Sequence, residues 1–184
     1  MRENVFLTES GMTFGPFDAD CFYHIEKAEE WKKLYDNGCK ISECVVYRRN
    51  KNAWLSIEAK TTLANPHSPL DGGESFRNEI EEISEKLENS LDIFLKARLC
   101  NYTPEGFEQI DFRNAEIVFV LVIRNHQYDW LIHVTEALNQ EIQRQIRFNR
   151  LWNVRVLAIN EETAARYGLI TRSEQQGLQP GSGF

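Results

Sequence analysis

The run Glu116-Ile-Val-Phe-Val-Leu-Val-Ile-Arg124 constrains the fold more than any other stretch of the chain. It is short, unbroken and rich in β-branched residues. A strand with one wet face alternates polar and apolar residues, and this one does not. It therefore reads as a central strand covered on both faces. The surrounding periodicities supply the cover. Phe76, Ile80, Ile83, Leu87, Leu91, Phe94 and Leu95 recur at helical spacing and predict a long helix over 74–99, opened by Asp71 or Ser75. A second helix is predicted over 128–149, a strand over 154–159, and a short helix from Glu161 to Tyr167 stopped by Gly168. Upstream, strands over 40–48 and 53–60 flank a turn at Arg49-Asn50-Lys51-Asn52, and residues 4–14 alternate weakly enough for one short strand. Phe22, Ile25, Ala28, Trp31, Leu34 and Tyr35 predict a first helix over 20–36, capped by Asp18 or Asp20 and closed by Asn37-Gly38. Helices that alternate with strands, plus one opening hairpin, make the fold class α/β: a mixed central sheet flanked by helices.

The 184 residues, 42% of them hydrophobic, suffice for one domain with a real core, expected over 1–172, followed by a flexible Gly/Ser-containing tail over 173–184. No run of 18 apolar residues is present, so no membrane span is expected, and the first residues lack the apolar core of a signal peptide. A cytoplasmic location is the expectation. Four cysteines without a Cys-x-x-Cys spacing read as reduced thiols, and four histidines form no His-x-x-x-His pair. Any metal should thus be a hard, oxygen-bound cation. A net charge of −7 counts against a broad grip on nucleic acid. Local basic clusters remain: Arg48, Arg49 and Lys51 in the hairpin turn, and Arg144, Arg147, Arg150 and Arg155 later. Either is a candidate phosphate contact or a solvated face.

The chemistry concentrates in Asn52-Ala-Trp-Leu-Ser-Ile-Glu58-Ala-Lys60. Strand side chains alternate, so Glu58 and Lys60 share a face, roughly 6–7 Å apart at Cα. A carboxylate and an ammonium at a strand end can hold a divalent cation and the water it activates. Glu43 opens the preceding apolar run, and a hairpin between the two runs would let Glu43 and Glu58 converge on one ion. The competing reading is a solvated Glu–Lys pair on a half-buried strand. On the long helix, Glu82, Lys86 and Ser90 repeat at i, i+4 and i+8 beside the apolar stripe. They either face the metal or a phosphate, or form an exposed flank with Glu82 paired to Lys86. Trp54, Trp130 and Trp152 are candidates for base stacking or for the core.

With Glu43 as a first acid and Glu58-Ala59-Lys60 as the acid-x-Lys, 15 positions further on, the chain resembles the PD-(D/E)XK nuclease superfamily, the restriction-endonuclease-like fold. The likeness covers residues 18–125 and leaves the last strand and helix as an extension. The first acid is Glu where Asp is commoner, and no proline precedes it. The resemblance implies Mg²⁺ or Mn²⁺ on Glu43 and Glu58, with Lys60 orienting the attacking water and offsetting charge on phosphorus. It further implies an added acid from the first helix, with Glu26 favoured and Glu30 one turn on. Lys86, Ser90, Arg48 and Arg49 become candidate substrate contacts. The implied activity is a metal-dependent phosphodiesterase or nuclease acting on DNA or RNA, in defence, repair or mobile-element biology. Nucleic acid is then the partner, joined by a second copy or another protein where two strands are cut. The alternative is an inactive nuclease-fold binding or sensor module, favoured by the acidic charge and small size. The presence of all three core residue types favours activity.

Overall fold

The computed structural model describes residues 3–28, 38–99, 107, 110–111, 114–144 and 154–171. The fold is mixed α/β. A five-stranded sheet has the order β3-β4-β5-β6-β7. Its strands are β3 (Phe22–Tyr23), β4 (Cys44–Arg48), β5 (Ala53–Lys60), β6 (Glu116–Ile123) and β7 (Val154–Asn160). The first three run antiparallel, whereas β5, β6 and β7 run parallel. Parallel neighbours need a crossover. Helix α1 (Glu74–Leu99) links β5 to β6, and helix α2 (Tyr128–Arg144) lies between β6 and β7. A short α3 (Glu161–Arg166) follows β7, with Asn160 Oδ1 accepting from the Thr163 N–H at 2.9 Å as its cap.

The apolar run 116–123 forms β6, an interior strand paired on both sides with β5 and β7. Ile117, Phe119, Leu121 and Ile123 of β6 pack under α1 and α2, against Ile83, Leu87, Leu91, Phe94, Val134 and Leu138. Val118, Val120 and Val122 face the other way, into a second cluster. That cluster is roofed by α3 and by a separate hairpin, β1 (Asn4–Glu9) and β2 (Met12–Asp18), which contributes Leu7, Met12, Phe14 and Phe17. Each such side chain taken from water contributes about 1.5–3 kcal/mol. Two covered faces explain why β6 has no polar alternation.

Two expectations change within residues 4–28. Residues 4–14 are not one strand: the Ser10-Gly11 turn, with positive φ at both residues, folds them into the β1–β2 hairpin. Residues 20–28 are not the start of a helix either. They form 3-10 turns at Ala19–Cys21 and Ile25–Lys27 around the two-residue β3. Phe22 and Tyr23 pair with Val46 and Val45, so the strand edge of β4 captures a segment whose apolar spacing suits a helix. The rest of the expected helix, 29–36, lies outside the described residues, as do the tail and most of the 101–114 connection. Among the described residues, no helix is long and apolar enough to cross a membrane.

Strand β4 begins at Cys44 and not at residue 40. Ser42 is buried just before it, and its N–H donates to Ser90 Oγ of α1 at 2.8 Å in place of a ladder partner. The same hydroxyl accepts from Ser42 Oγ at 2.8 Å and donates to the Lys86 carbonyl at 2.8 Å. Ser42 Oγ lies 2.7 Å from Ser56 Oγ on β5. This buried network fixes α1 against the N-terminal end of β4, and so sets where Glu43 and Lys86 stand.

Candidate active site

Several elements end at one edge of the sheet. The last residues of β5 carry Glu58 and Lys60, β4 starts beside them, the Ile25–Lys27 turn follows β3, and β1 finishes at Glu9. Glu43 lies one rung beyond the last paired residues, Cys44 and Ile57, and its N–H donates to the Ile57 carbonyl at 3.0 Å. That rung is where β5 carries Glu58. The expected hairpin therefore forms and puts the two acids at the same end of it.

Glu58 is fully buried, and its two oxygens differ. Oε1 accepts from Lys86 Nζ at 2.7 Å, with Lys60 Nζ at 4.0 Å. Oε2 is buried without a hydrogen-bond partner. Burial pushes the Glu58 carboxyl above its ordinary range; the Lys86 and Lys60 ammoniums oppose this without cancelling it. Burial alone would lower Lys86, but the Glu58 carboxylate beside it, with Glu43 and Glu82, outweighs that and holds it above the usual lysine range. Lys86 is thus the firm cation of the pair. Lys60 reaches Glu82 Oε1 at 3.7 Å, and Glu82 also holds Lys40 at 3.2 Å. Glu82 pairs with these lysines and not with Lys86, so the stripe at i, i+4 and i+8 is turned onto β5 and away from bulk solvent.

Glu43 sits in a different balance. One carboxylate oxygen from each of Glu9, Glu26 and Glu43 falls within 4.8 Å of the others. Burial drives the Glu43 carboxyl up to about 8, and the charges of Glu58, Glu26 and Glu9 add to the rise while Lys86 opposes it. Glu26 is also raised, first by burial and then by Glu9. Negative charge here is under-compensated by the lysines, as a site built for a cation would be. All the groups are carboxylates, which suits a hard divalent ion such as Mg²⁺ or Mn²⁺. The three acids fit the expected ion; Glu58, the other expected ligand, faces Glu43 across the strand pair and is not one of the three.

Glu26, expected on a helix face, reaches this place from the Ile25–Lys27 turn. Glu30 lies outside the described residues. Glu9 was not legible as a site residue, because the alternation of 4–14 gives no hint that the chain turns at Ser10. The Ser-Gly pair is the signal that points to the turn.

Other candidates stand elsewhere. Ser90 is buried in the network with Ser42, so it is a support of the site and not a substrate contact. Arg48 and Arg49 lie at the opposite end of β4 from Glu43. Arg48 Nη2 donates to the carbonyls of Tyr167 and Gly168 at 3.2 and 2.8 Å. Arg49 donates to Cys21 Sγ at 2.9 Å and pairs with Asp20 at 3.3 Å. Both hold the fold and face away from the acids. Trp54 is a core residue, packed on Phe94 with ring centroids 5.4 Å apart. Trp152, Arg147 and Arg150 lie outside the described residues.

Comparison of the chain with family models, with curated proteins and with solved structures finds no match.

Proposed function

We propose that the protein is a metal-dependent phosphodiesterase acting on DNA or RNA, with Glu43, Glu58 and Glu26 holding Mg²⁺ or Mn²⁺ and Lys60 serving the attacking water. The observation that supports this reading is that Glu43 stands opposite Glu58 across two adjoining strands, one rung past the Cys44–Ile57 pair, with Lys60 Nζ 4.0 Å from Glu58 Oε1 at the same end of the sheet. A bound divalent ion supplies Lewis-acid polarisation of a phosphate and a more acidic water. The chain's own residues do the rest. Glu58 Oε1 and Glu82 hold the Lys60 ammonium from two sides, at 4.0 and 3.7 Å. From there it orients a water by hydrogen bonding and offsets negative charge as it develops on a phosphoryl oxygen. Lys86 keeps the buried Glu58 carboxylate in place.

One observation favours a second reading, a nuclease-like binding module without turnover. Glu58 is closed off from solvent and already neutralised by a lysine. The two readings separate in a cleavage assay. Plasmid, single-stranded DNA and RNA are incubated with the protein and Mn²⁺, beside Lys60→Ala. Cutting that Lys60→Ala reduces by about 100-fold or more, with substrate binding retained, supports the phosphodiesterase. Equal cutting by both proteins refutes the role of Lys60, and no cutting of any substrate favours the binding module.

A further inference from the structure

The β1–β2 hairpin roofs the second core cluster, and its turn also reaches the acidic end of the sheet. Ser10 Oγ donates to the Ala59 carbonyl at 3.0 Å, midway between Glu58 and Lys60 in sequence. Gly11, at φ +72°, lies against the Arg124 guanidinium just past the end of β6; a side chain added there would begin 2.3 Å from Arg124 Nη1. The turn is therefore seated across the C-terminal ends of β5 and β6. Open parallel sheets commonly bind ligands at those ends. Glu9, the last residue of β1 and paired with Met12, is delivered by this seat into the group with Glu26 and Glu43.

Clustered acids alone are common on protein surfaces. Glu58 supplies an independent observation. Its carboxylate is wholly buried beside the cluster, and Oε2 has no hydrogen-bond donor. A buried carboxylate oxygen without a donor costs free energy unless a cation or ordered water meets it. Glu58 stands opposite Glu43, one rung past the Cys44–Ile57 pair, so its buried carboxylate lies at the same end of the strand pair as the three acids.

We infer that Glu9 is a metal ligand: a divalent cation is held jointly by Glu9, Glu26 and Glu43 beside the free oxygen of Glu58, so that the N-terminal hairpin is part of the metal site and not only a cover for the sheet. The inference rests on the metal-binding half of the proposed function and is independent of the cutting half. Cation binding would then join three parts of the fold: the hairpin through Glu9, the 3-10 turn through Glu26, and the strand pair through Glu43, with Glu58 beside it. A site shared in this way couples its ligand to the docking of each piece.

The test uses the full chain and Mn²⁺ as the probe, followed by calorimetry and by the paramagnetic signal of free Mn²⁺. Glu9→Gln should weaken Mn²⁺ binding tenfold or more, whereas Glu81→Gln, an exposed acid on α1, should leave it within twofold. Amide hydrogen exchange in the wild-type chain gives a reading that needs no variant to fold. Residues 4–12 should exchange more slowly when Mn²⁺ is added. Unchanged Mn²⁺ affinity in Glu9→Gln, no Mn²⁺ binding by the wild type at millimolar concentration, or unaltered exchange over 4–12 would each overturn the inference. Tight, Glu9-dependent binding in a protein that cuts no nucleic acid would uphold it while removing the nuclease reading.

Discussion

Lys86 Nζ of α1 lies 2.7 Å from Glu58 Oε1 of β5, and this one contact joins the long helix to the chemical end of the sheet. Glu58 has 0% exposure, so the pair is more than a surface decoration. Removing only the lysine strands a buried carboxyl, which in comparable pairs costs about 3–5 kcal/mol. Burial favours the protonated form of this carboxyl, which limits the loss at low pH. Lys86→Met should therefore destabilise the metal-free protein by about 2–4 kcal/mol near pH 8 and by clearly less near pH 5.5. Urea unfolding at both pH values checks it. Equal destabilisation at the two would mean that Glu58 keeps one charge state throughout.

Glu43 predicts a pH dependence of its own. Its pKa is about 8 in the folded protein, against an ordinary 4.5. The folded state thus binds a proton more tightly than the unfolded state. Below the unfolded value both states are protonated and the crowding costs nothing. As pH rises from about 4.5 through 8, the unfolded chain ionises first, so stability falls across that window. In EDTA the melting temperature should drop by several degrees between pH 5.5 and 8.5. Millimolar Mg²⁺ or Mn²⁺ should recover most of the drop at pH 8.5 by binding the folded state alone. Differential scanning calorimetry with and without metal reads both effects. A metal-free protein with rising stability over this range would contradict the crowded-acid picture.

How much of this was legible depended on whether a signal was local. The strand over 53–60 and the helix over 74–99 came out at their observed bounds, because each pattern repeats over enough residues to choose one period. The pairing of Glu43 with the Glu58 rung followed from a two-strand register, also a short-range matter. The first helix failed over 20–28 for the opposite reason. Phe22, Ile25 and Ala28 satisfy a helical spacing, but so short a stretch is decided by its neighbours, and the edge of β4 lay unpaired beside it. Glu26 still arrives beside Glu43, from a turn and not from a helix face. Glu9 was hidden because it is 34 positions from Glu43, and only the tertiary seating of the hairpin turn on Ala59 brings the two together. Ser90 read as a phosphate candidate, since position on a stripe tells which way a residue points but not what fills the space in front of it.

The serine network gives a third prediction. Ser90 Oγ receives the Ser42 N–H at 2.8 Å in a fully buried setting. In Ser90→Ala that buried N–H loses its acceptor, at a cost of about 1–3 kcal/mol. Because Ser42 precedes Glu43 directly, the loss should also loosen the start of β4. Ser90→Ala should lower the urea midpoint and weaken Mn²⁺ binding by no more than severalfold. Ser90→Ala with wild-type stability would show that the hydroxyl is not a support of the site.

Arg48 supplies the contrasting case, a basic residue that a nuclease reading makes attractive and that the fold uses otherwise. Its guanidinium donates to the carbonyls of Tyr167 and Gly168, the residues that close α3, where a cation also meets the negative end of the helix. Burial pulls its pKa down, but an arginine stays charged, so the bonds persist at any pH in which the protein is folded. Arg48→Ala should cost about 1–2 kcal/mol through these charge-assisted bonds. It should leave Mn²⁺ affinity and any nucleic-acid cleavage unchanged, because β4 separates it from Glu43 by its full length. The comparison that matters is with Lys60→Ala, which should show the reverse: nearly wild-type unfolding and lost cutting. If Arg48→Ala instead weakens nucleic-acid binding without moving the unfolding midpoint, the hairpin turn, and not the acidic end of the sheet alone, contacts the phosphate backbone.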